Sequence, residues 1–124
     1  MSSNPGIPAI DVRAAAERVA AETDPGALIV DVREPDEFIT VRVERAAHVP
    51  MSVFVNRAAE LPRDRPLLIL CASGVRSSAV TGYLLRSGWT DVTNIEGGIK
   101  AWEGAGLPVR RGPIAAGEGS LPAD

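Results

Sequence analysis

The sequence predicts an α/β fold: a three-layer sandwich with a mainly parallel five-stranded sheet and helices on both faces. Short apolar runs bounded by proline or glycine, of which 67–70 is the clearest, are typical of strands buried on both faces of a parallel sheet. After such a run, apolar residues recur at helical spacing, as they do from Ala79 to Leu84 before Gly88. Strands that alternate with helices along the chain predict a mainly parallel sheet.

Length and composition restrict the function. The chain has 124 residues, 45% of them hydrophobic and 23% charged, which is ordinary for one soluble domain. The net charge of −3, with no basic run longer than Arg110-Arg111, gives no case for nucleic-acid binding. One cysteine excludes an internal disulfide, and one cysteine with one histidine makes a structural zinc site implausible. We therefore expect no metal and no cofactor.

The N-terminal third is predicted to support the fold. Residues 1–8 contain two prolines and a glycine, so we expect a flexible arm before a domain over 9–110. The arm has neither the charged start nor the apolar core of a signal peptide, and no run of apolar residues could span a membrane. We therefore expect a cytoplasmic location and no membrane contact. A helix is predicted over 12–22, capped by Asp11, followed by a turn at 24–26.

The second predicted strand, 27–32, ends in charged residues. Period two places Asp31 and Arg33 on the same side, where they can form a supporting charge pair or take part directly in chemistry. We favour the charge pair, which would tie strand ends together. A helical turn over 35–39 and a short strand with His48 follow. A general-base role for this histidine would require it to lie beside Cys71, whereas a polar edge position needs no chemistry.

After a helix predicted over 53–60 and capped by Ser52, the central strand leads into the candidate active-site loop. Cys71, the only cysteine, stands where the strand should end. A tight loop before a helix can turn backbone N–H groups and the positive helix end towards one sulfur, which favours a thiolate. The alternative is an inert, buried cysteine. We predict Cys71 as the catalytic residue, with a substrate- and anion-binding loop of Ala72, Ser73, Gly74, Val75, Arg76 and Ser77.

The last strand is predicted over 92–95, followed by a tight bend at Gly97-Gly98 and a helix that contains Trp102. The bend should lie at the same sheet edge as the cysteine loop, because ligand sites of parallel sheets lie at the carboxyl ends of strands. Residues 111–124 have three glycines, two prolines and little hydrophobic mass. We expect them to form a flexible C-terminal tail that does not dock.

Three segments carry a family resemblance. Cys71-x-x-Gly74-x-Arg76-Ser77 resembles the active-site loop of the single-domain rhodanese-like sulfurtransferases, and residues 28–38 and 94–109 resemble two further motifs of that family. The resemblance covers about residues 8–110 and implies the same three-layer architecture. Relatives usually carry Gly-His and then Ile-x-Gly-Ala where this chain has Val41-Arg42-Val43-Glu44-Arg45-Ala46, which predicts a differently shaped turn here.

The resemblance also bears on the reaction. A cysteine loop of this kind suits either sulfur transfer through a persulfide or phosphoryl and arsenate chemistry. The interval from Cys71 to Arg76 is six residues, the length that in this superfamily goes with sulfur, whereas its phosphatases have one residue more. A non-catalytic module, or a carrier that relays sulfur to a partner protein, remains the alternative. The expected partners are a small sulfur donor (thiosulfate or a persulfide), a thiol or cyanide acceptor and a protein persulfide, with the chain a monomer or weak homodimer.

Overall fold

The computed structural model describes residues 6–21 and 26–122. Several predicted features fall partly outside these residues: 1–5 of the arm, the last residue of the first predicted helix, most of the turn at 24–26, and 123–124 of the tail.

The strands form one sheet in which every neighbouring pair is parallel. Its order is β1-β5-β4-β2-β3, so β4 lies at the centre. The predicted fold class is confirmed. Because parallel strands end at one edge, the residues after β2, β4 and β5 are brought together there. The strands are β1 (Ala9–Ile10), β2 (Leu28–Asp31), β3 (Ala47–His48), β4 (Leu67–Leu70) and β5 (Val92–Ile95).

Helices connect the strands. They are α1 (Val12–Ala20), α2 (Pro35–Thr40), α3 (Phe54–Arg57), α4 (Val75–Arg86) and α5 (Gly98–Gly104). Asp11 caps α1, as predicted, by accepting a hydrogen bond from Ala14 N at 2.8 Å. Ser52 does not cap α3: it lies in a 3₁₀ turn, and its hydroxyl donates to Glu34 Oε1 at 2.7 Å. No helix within 6–21 or 26–122 has the length and apolarity needed to cross a bilayer.

The core lies on both faces of the sheet because side chains alternate along buried strands. In β2, Leu28 and Val30 pack on the face covered by α3 and α4, whereas Ile29 packs on the face covered by α1 and α5. The strand β4 is fully buried, with all four residues 0% exposed. Cys71 therefore follows the most enclosed strand of the domain.

The turn that departs from the family pattern holds a buried arginine. Arg42 is 2% exposed and forms a salt bridge of 2.5 Å between its Nε and Glu118 Oε2. Its Nη1 also donates to Gly112 O at 2.8 Å, and His48 N donates to Gly119 O at 2.7 Å. The prediction that the tail does not dock is wrong for its described residues, 111–122, because they make these polar contacts and because Leu121 packs against the core. The boundaries at 8, 110 and 111 stay predictions.

Candidate active site

The candidate site begins where β4 ends. Cys71 follows the strand directly, and α4 begins four residues later. Gly74 is the residue before the helix and has a φ of 101°, a left-handed conformation that side chains other than glycine rarely adopt. A Cβ at this position would also lie 3.2 Å from Gly97 N. The loop therefore reverses its direction close to the bend that follows β5.

The Cys71 sulfur is enclosed by hydrogen-bonding groups. Gly74 N–H donates to Sγ at 3.0 Å, and Ser77 Oγ lies 3.2 Å from Sγ, with Cys71 and Ser77 both 0% exposed. Burial alone would raise the pKa of the thiol, but the pKa of Cys71 lies below its ordinary value, and hydrogen bonds from the backbone N–H groups of Ser77, Gly74 and Ser73 are among the causes. This environment favours a thiolate over an inert thiol.

Asn94 on β5 is part of the site although the sequence analysis did not select it. Ser77 Oγ donates to Asn94 Oδ1 at 2.5 Å, and Asn94 Nδ2 donates to Gly74 O at 3.3 Å. The available signal was a polar residue inside an otherwise mostly apolar buried strand, 6% exposed in the structure. Asn94 thus links the first turn of α4 to the loop.

Arg76 does not face the sulfur as a free cation. Its two terminal nitrogens donate to the two carboxylate oxygens of Glu37 on α2, each at 2.8 Å. This pair lowers the pKa of Glu37 to about 2 and raises that of Arg76. These contacts support a role for Arg76 in attaching the loop to α2. Glu37 was not selected as a site residue, although it lies within the 28–38 motif.

Asp31 and Arg33 form a buried ion pair at the end of β2. Arg33 Nη2 lies 2.8 Å from Asp31 Oδ2, with the two side chains 3% and 0% exposed. The same guanidinium donates to Glu37 O at 3.2 Å and to Val41 O at 2.6 Å. The pair therefore holds α2 in place. Because α2 carries Glu37, the partner of Arg76, the pair supports the cysteine loop indirectly.

The start of α5 holds the other side of the loop. Ile99 N–H donates to Cys71 O at 2.9 Å, and Lys100 N–H donates to Ala72 O at 3.1 Å. Gly98 makes this approach geometrically feasible: a Cβ on it would lie 2.4 Å from Cys71 O. The predicted bend at Gly97-Gly98 thus lies against the cysteine loop, at the shared sheet edge.

His48 has a structural environment. Its Nε2 lies 2.6 Å from Arg33 O, and its ring stacks on Phe38 with 4.2 Å between ring centroids. These contacts fit the polar edge position. In the described part of the chain, no three His, Cys, Asp or Glu side chains come together as metal ligands would.

The outer part of the loop carries no charge of its own. Ala72 is half-buried, and Ser73 and Val75 are exposed, with Val75 72% accessible. Together with the Arg76–Glu37 pair, this leaves a buried sulfur beneath an uncharged rim. Chemically, the arrangement suits a nucleophilic sulfur whose negative charge is stabilised mainly by backbone N–H groups.

Comparison with known proteins agrees with this geometry. Residues 14–105 match the rhodanese-like domain family. A sulfurtransferase of Allochromatium vinosum is 38% identical over 100 residues, covering 81% of this chain and 92% of the relative. A thiosulfate sulfurtransferase of Vibrio cholerae is 31% identical with the same coverage of each chain. A crystal structure of a rhodanese-related protein from Thermoplasma volcanium superposes with a TM-score of 0.75 at 30% identity, covering 83% of this chain and 97% of the other.

Proposed function

The chain belongs to the rhodanese-like domain family, and from that premise we propose that it is a sulfurtransferase that carries sulfane sulfur as a persulfide on Cys71. The observation that carries the proposal is the position of Sγ, 3.0 Å from Gly74 N within a loop that lowers the thiol pKa. Relatives named as sulfurtransferases support the same class of reaction.

The proposed reaction has two displacements at sulfur. The Cys71 thiolate attacks the sulfane sulfur of a donor; an S–S bond to Sγ forms, and the donor's own bond breaks, with its electron pair leaving on sulfite or a thiolate. A nucleophilic acceptor then attacks the outer sulfur, and the S–S electron pair returns to Cys71 as a thiolate. Loop N–H groups stabilise the anion before the first step and after the second.

Arg76 is the main reason to prefer sulfur over phosphoryl transfer. An enzyme that binds phosphate would use the loop arginine on the oxyanion, because a guanidinium matches phosphate oxygens in pairs. Here both terminal nitrogens already contact Glu37. A persulfide has one charged atom to stabilise, and the backbone N–H groups suffice for it.

The lack of charge at the rim of the loop indicates which sulfur donor the protein prefers. Thiosulfate is a small dianion, and its capture benefits from positive charge near the entrance. Ala72 and Ser73 supply none, and the charge of Arg76 is balanced by Glu37. We therefore infer that thiosulfate is accepted but binds weakly, and that a low-molecular-weight or protein persulfide is the better donor.

A cyanide-acceptor assay tests the proposal. Thiocyanate release is measured with thiosulfate and with a low-molecular-weight persulfide, for the wild type and for Cys71→Ser. The wild type should turn over and the variant should not, while its melting temperature stays close to that of the wild type. Because Cys71 is the only cysteine, intact mass after donor treatment should rise by one sulfur atom in the wild type alone.

The same assay distinguishes a sulfurtransferase from a carrier that relays sulfur to a partner protein. A relay module would take up sulfur from the donor but release it to a protein thiol and not to cyanide. Thiocyanate release by Cys71→Ser above background would contradict both forms of the proposal.

A further inference from the structure

The Ser77 hydroxyl has one proton and two neighbours that could receive it. Its oxygen lies 2.5 Å from Asn94 Oδ1 and 3.2 Å from Cys71 Sγ. A hydroxyl donates one hydrogen bond and accepts up to two, so Ser77 cannot donate to both neighbours at once. Which neighbour receives the proton decides whether Ser77 presents a donor or an acceptor to the sulfur.

The amide orientation of Asn94 resolves the choice. Its Nδ2 faces Gly74 O at 3.3 Å, and a rotated amide would place Oδ1 against that carbonyl oxygen, so Oδ1 faces Ser77. Oδ1 is an acceptor only. If Ser77 donated to sulfur, two oxygens would lie 2.5 Å apart with no proton between them, and Oδ1 would be left without a donor at a buried residue.

We propose that Asn94 is a positioning residue that holds the Ser77 proton away from Cys71, so that the resting thiol donates its S–H to Ser77 Oγ. In this arrangement the polar side-chain atoms of Cys71, Ser77 and Asn94 all have a partner. This is consistent with the absence of unpaired buried side-chain nitrogen and oxygen atoms among the described residues. Ser77 then stabilises the thiol, and the backbone N–H groups are left to stabilise the thiolate.

The arrangement also fits the persulfide state. In a persulfide the sulfur bonded to Cβ has no proton and no formal charge, so it needs no donor from Ser77. The Ser77–Asn94 hydrogen bond can persist through the cycle, and the loop does not have to rearrange when charge moves to the outer sulfur. This inference rests on the proposed function only in taking Cys71 as the reacting sulfur.

The test compares the Cys71 alkylation rate as a function of pH in four proteins: wild type, Asn94→Leu, Ser77→Ala and the double variant. Leucine keeps the branched shape of asparagine without its acceptor. In Asn94→Leu the Ser77 proton is free to turn to the sulfur, so the alkylation midpoint should fall by about half a unit to one unit. Ser77→Ala alone should leave the midpoint unchanged or slightly lower, because only an acceptor is lost.

The double variant separates this effect from loosening of the loop, since Asn94→Leu also removes the bond to Gly74 O. With no hydroxyl at position 77, the fall in midpoint should disappear. Charged groups near the loop are unchanged in all four proteins, so their influence cancels. These groups include Arg76 on α4, Asp31 and Arg33 at the end of β2, Glu37 on α2, Glu96 between β5 and α5, and Lys100 on α5.

A second measurement does not depend on Asn94→Leu folding. The chain has a single thiol, so its S–H stretching band in the infrared belongs to Cys71 alone. The band should lie at the lower frequency of a donating S–H in the wild type and move to higher frequency in Ser77→Ala. An unmoved band, a midpoint raised by Ser77→Ala, or a fall that persists in the double variant would overturn the inference. Neither measurement uses a sulfur donor, so sulfurtransferase activity is tested separately.

Discussion

At Cys71 two effects on the sulfur oppose each other. Full burial raises the free energy of the thiolate, and hydrogen bonds from the backbone N–H groups of Ser77, Gly74 and Ser73 are among the effects that lower it, with the balance on the side of a lowered pKa. We expect the alkylation rate of the wild type to reach half its maximum below the ordinary cysteine pKa of about 8.5. Rates with a small alkylating reagent, from acid to mildly alkaline pH, measure this. A midpoint at or above the ordinary value would mean that burial dominates.

The rim position Ser73 allows a test of donor choice. It is exposed and uncharged, and the charge of Arg76, the only basic residue within the loop, is balanced by Glu37. Ser73→Lys should raise kcat/KM for thiosulfate, mainly through a lower KM, because a cation at the entrance attracts the dianion. The gain should shrink at high salt, where charges on the surface are screened.

Ser73→Gln is the matched control, since it adds length without charge and should leave KM for thiosulfate near the wild-type value. The same kinetics with an uncharged persulfide donor should not change in Ser73→Lys. Equal gains from lysine and glutamine, or a wild type with micromolar KM for thiosulfate, would show that rim charge does not determine donor choice.

The sequence could not predict which residues far away in the chain contact the residues of the cysteine loop. The loop itself, with Cys71, is contiguous and could be predicted from local pattern. Glu37 lies 39 positions from Arg76, and Asn94 lies 17 positions from Ser77, so only the sheet order brings them together. A polar residue in a buried strand is a signal for such a role, but pattern alone does not say which loop it contacts.

At the scale of elements, the cysteine loop is held between α2 and α5. Ion pairing of Arg76 with Glu37 attaches it to α2, and the N–H groups of Ile99 and Lys100 attach it to α5. The geometry of Sγ therefore depends on contacts that do not include the sulfur. Small displacements of a reacting group reduce rates strongly, so these attachments matter for catalysis as well as stability.

Arg76→Lys tests the attachment to α2. Lysine keeps the positive charge but cannot contact both oxygens of Glu37 in the planar geometry of arginine. We expect a loss of about 1 kcal/mol in the free energy of unfolding, after allowing for partial exposure of the pair. Persulfide formation, followed by mass after short donor exposure, should be slower.

Arg57→Lys provides the comparison, because Arg57 pairs with Glu60, three positions along the chain, on an exposed surface. It should change neither stability nor the rate of persulfide formation by a measurable amount. If the two variants behave alike, the pair with Glu37 is an ordinary surface contact and the loop is held by other interactions.

For the whole molecule, the sequence predicted the architecture better than the contacts of the C-terminal tail. Strand and helix periods determine which faces are buried, and these gave the parallel sheet with helices on both sides, which is confirmed. Several contacts of the described tail residues are made by one buried arginine in the unusual turn. The low hydrophobic content of the tail predicted that it would not dock, because hydrophobic content does not indicate a buried ion pair such as Arg42–Glu118.

Glu118→Gln tests whether the tail contributes to the stability of the domain. Arg42 is 2% exposed and Glu118 10% exposed on their side chains, and the pair lowers the pKa of Glu118 to about 2. Removing the charge leaves a buried guanidinium with only part of its partners, so we expect a loss of about 1.5–3 kcal/mol at pH 7. Thermal and urea unfolding of both proteins measure it.

The lowered pKa of Glu118 determines how the stability difference between the wild type and Glu118→Gln should change with pH. A carboxyl group with a lowered folded-state pKa stabilises the protein above its unfolded pKa, about 4.3, and the contribution is lost as pH falls towards 2. The difference between wild type and Glu118→Gln should therefore be constant from pH 5 to neutral values and shrink below about pH 4. Glu60→Gln, which breaks an exposed pair, is the control and should show no comparable loss. No difference at pH 7 would mean that the tail contacts do not couple to unfolding, and a difference that stays constant down to pH 2 would mean that the charge of Glu118 is not the source of the stabilisation.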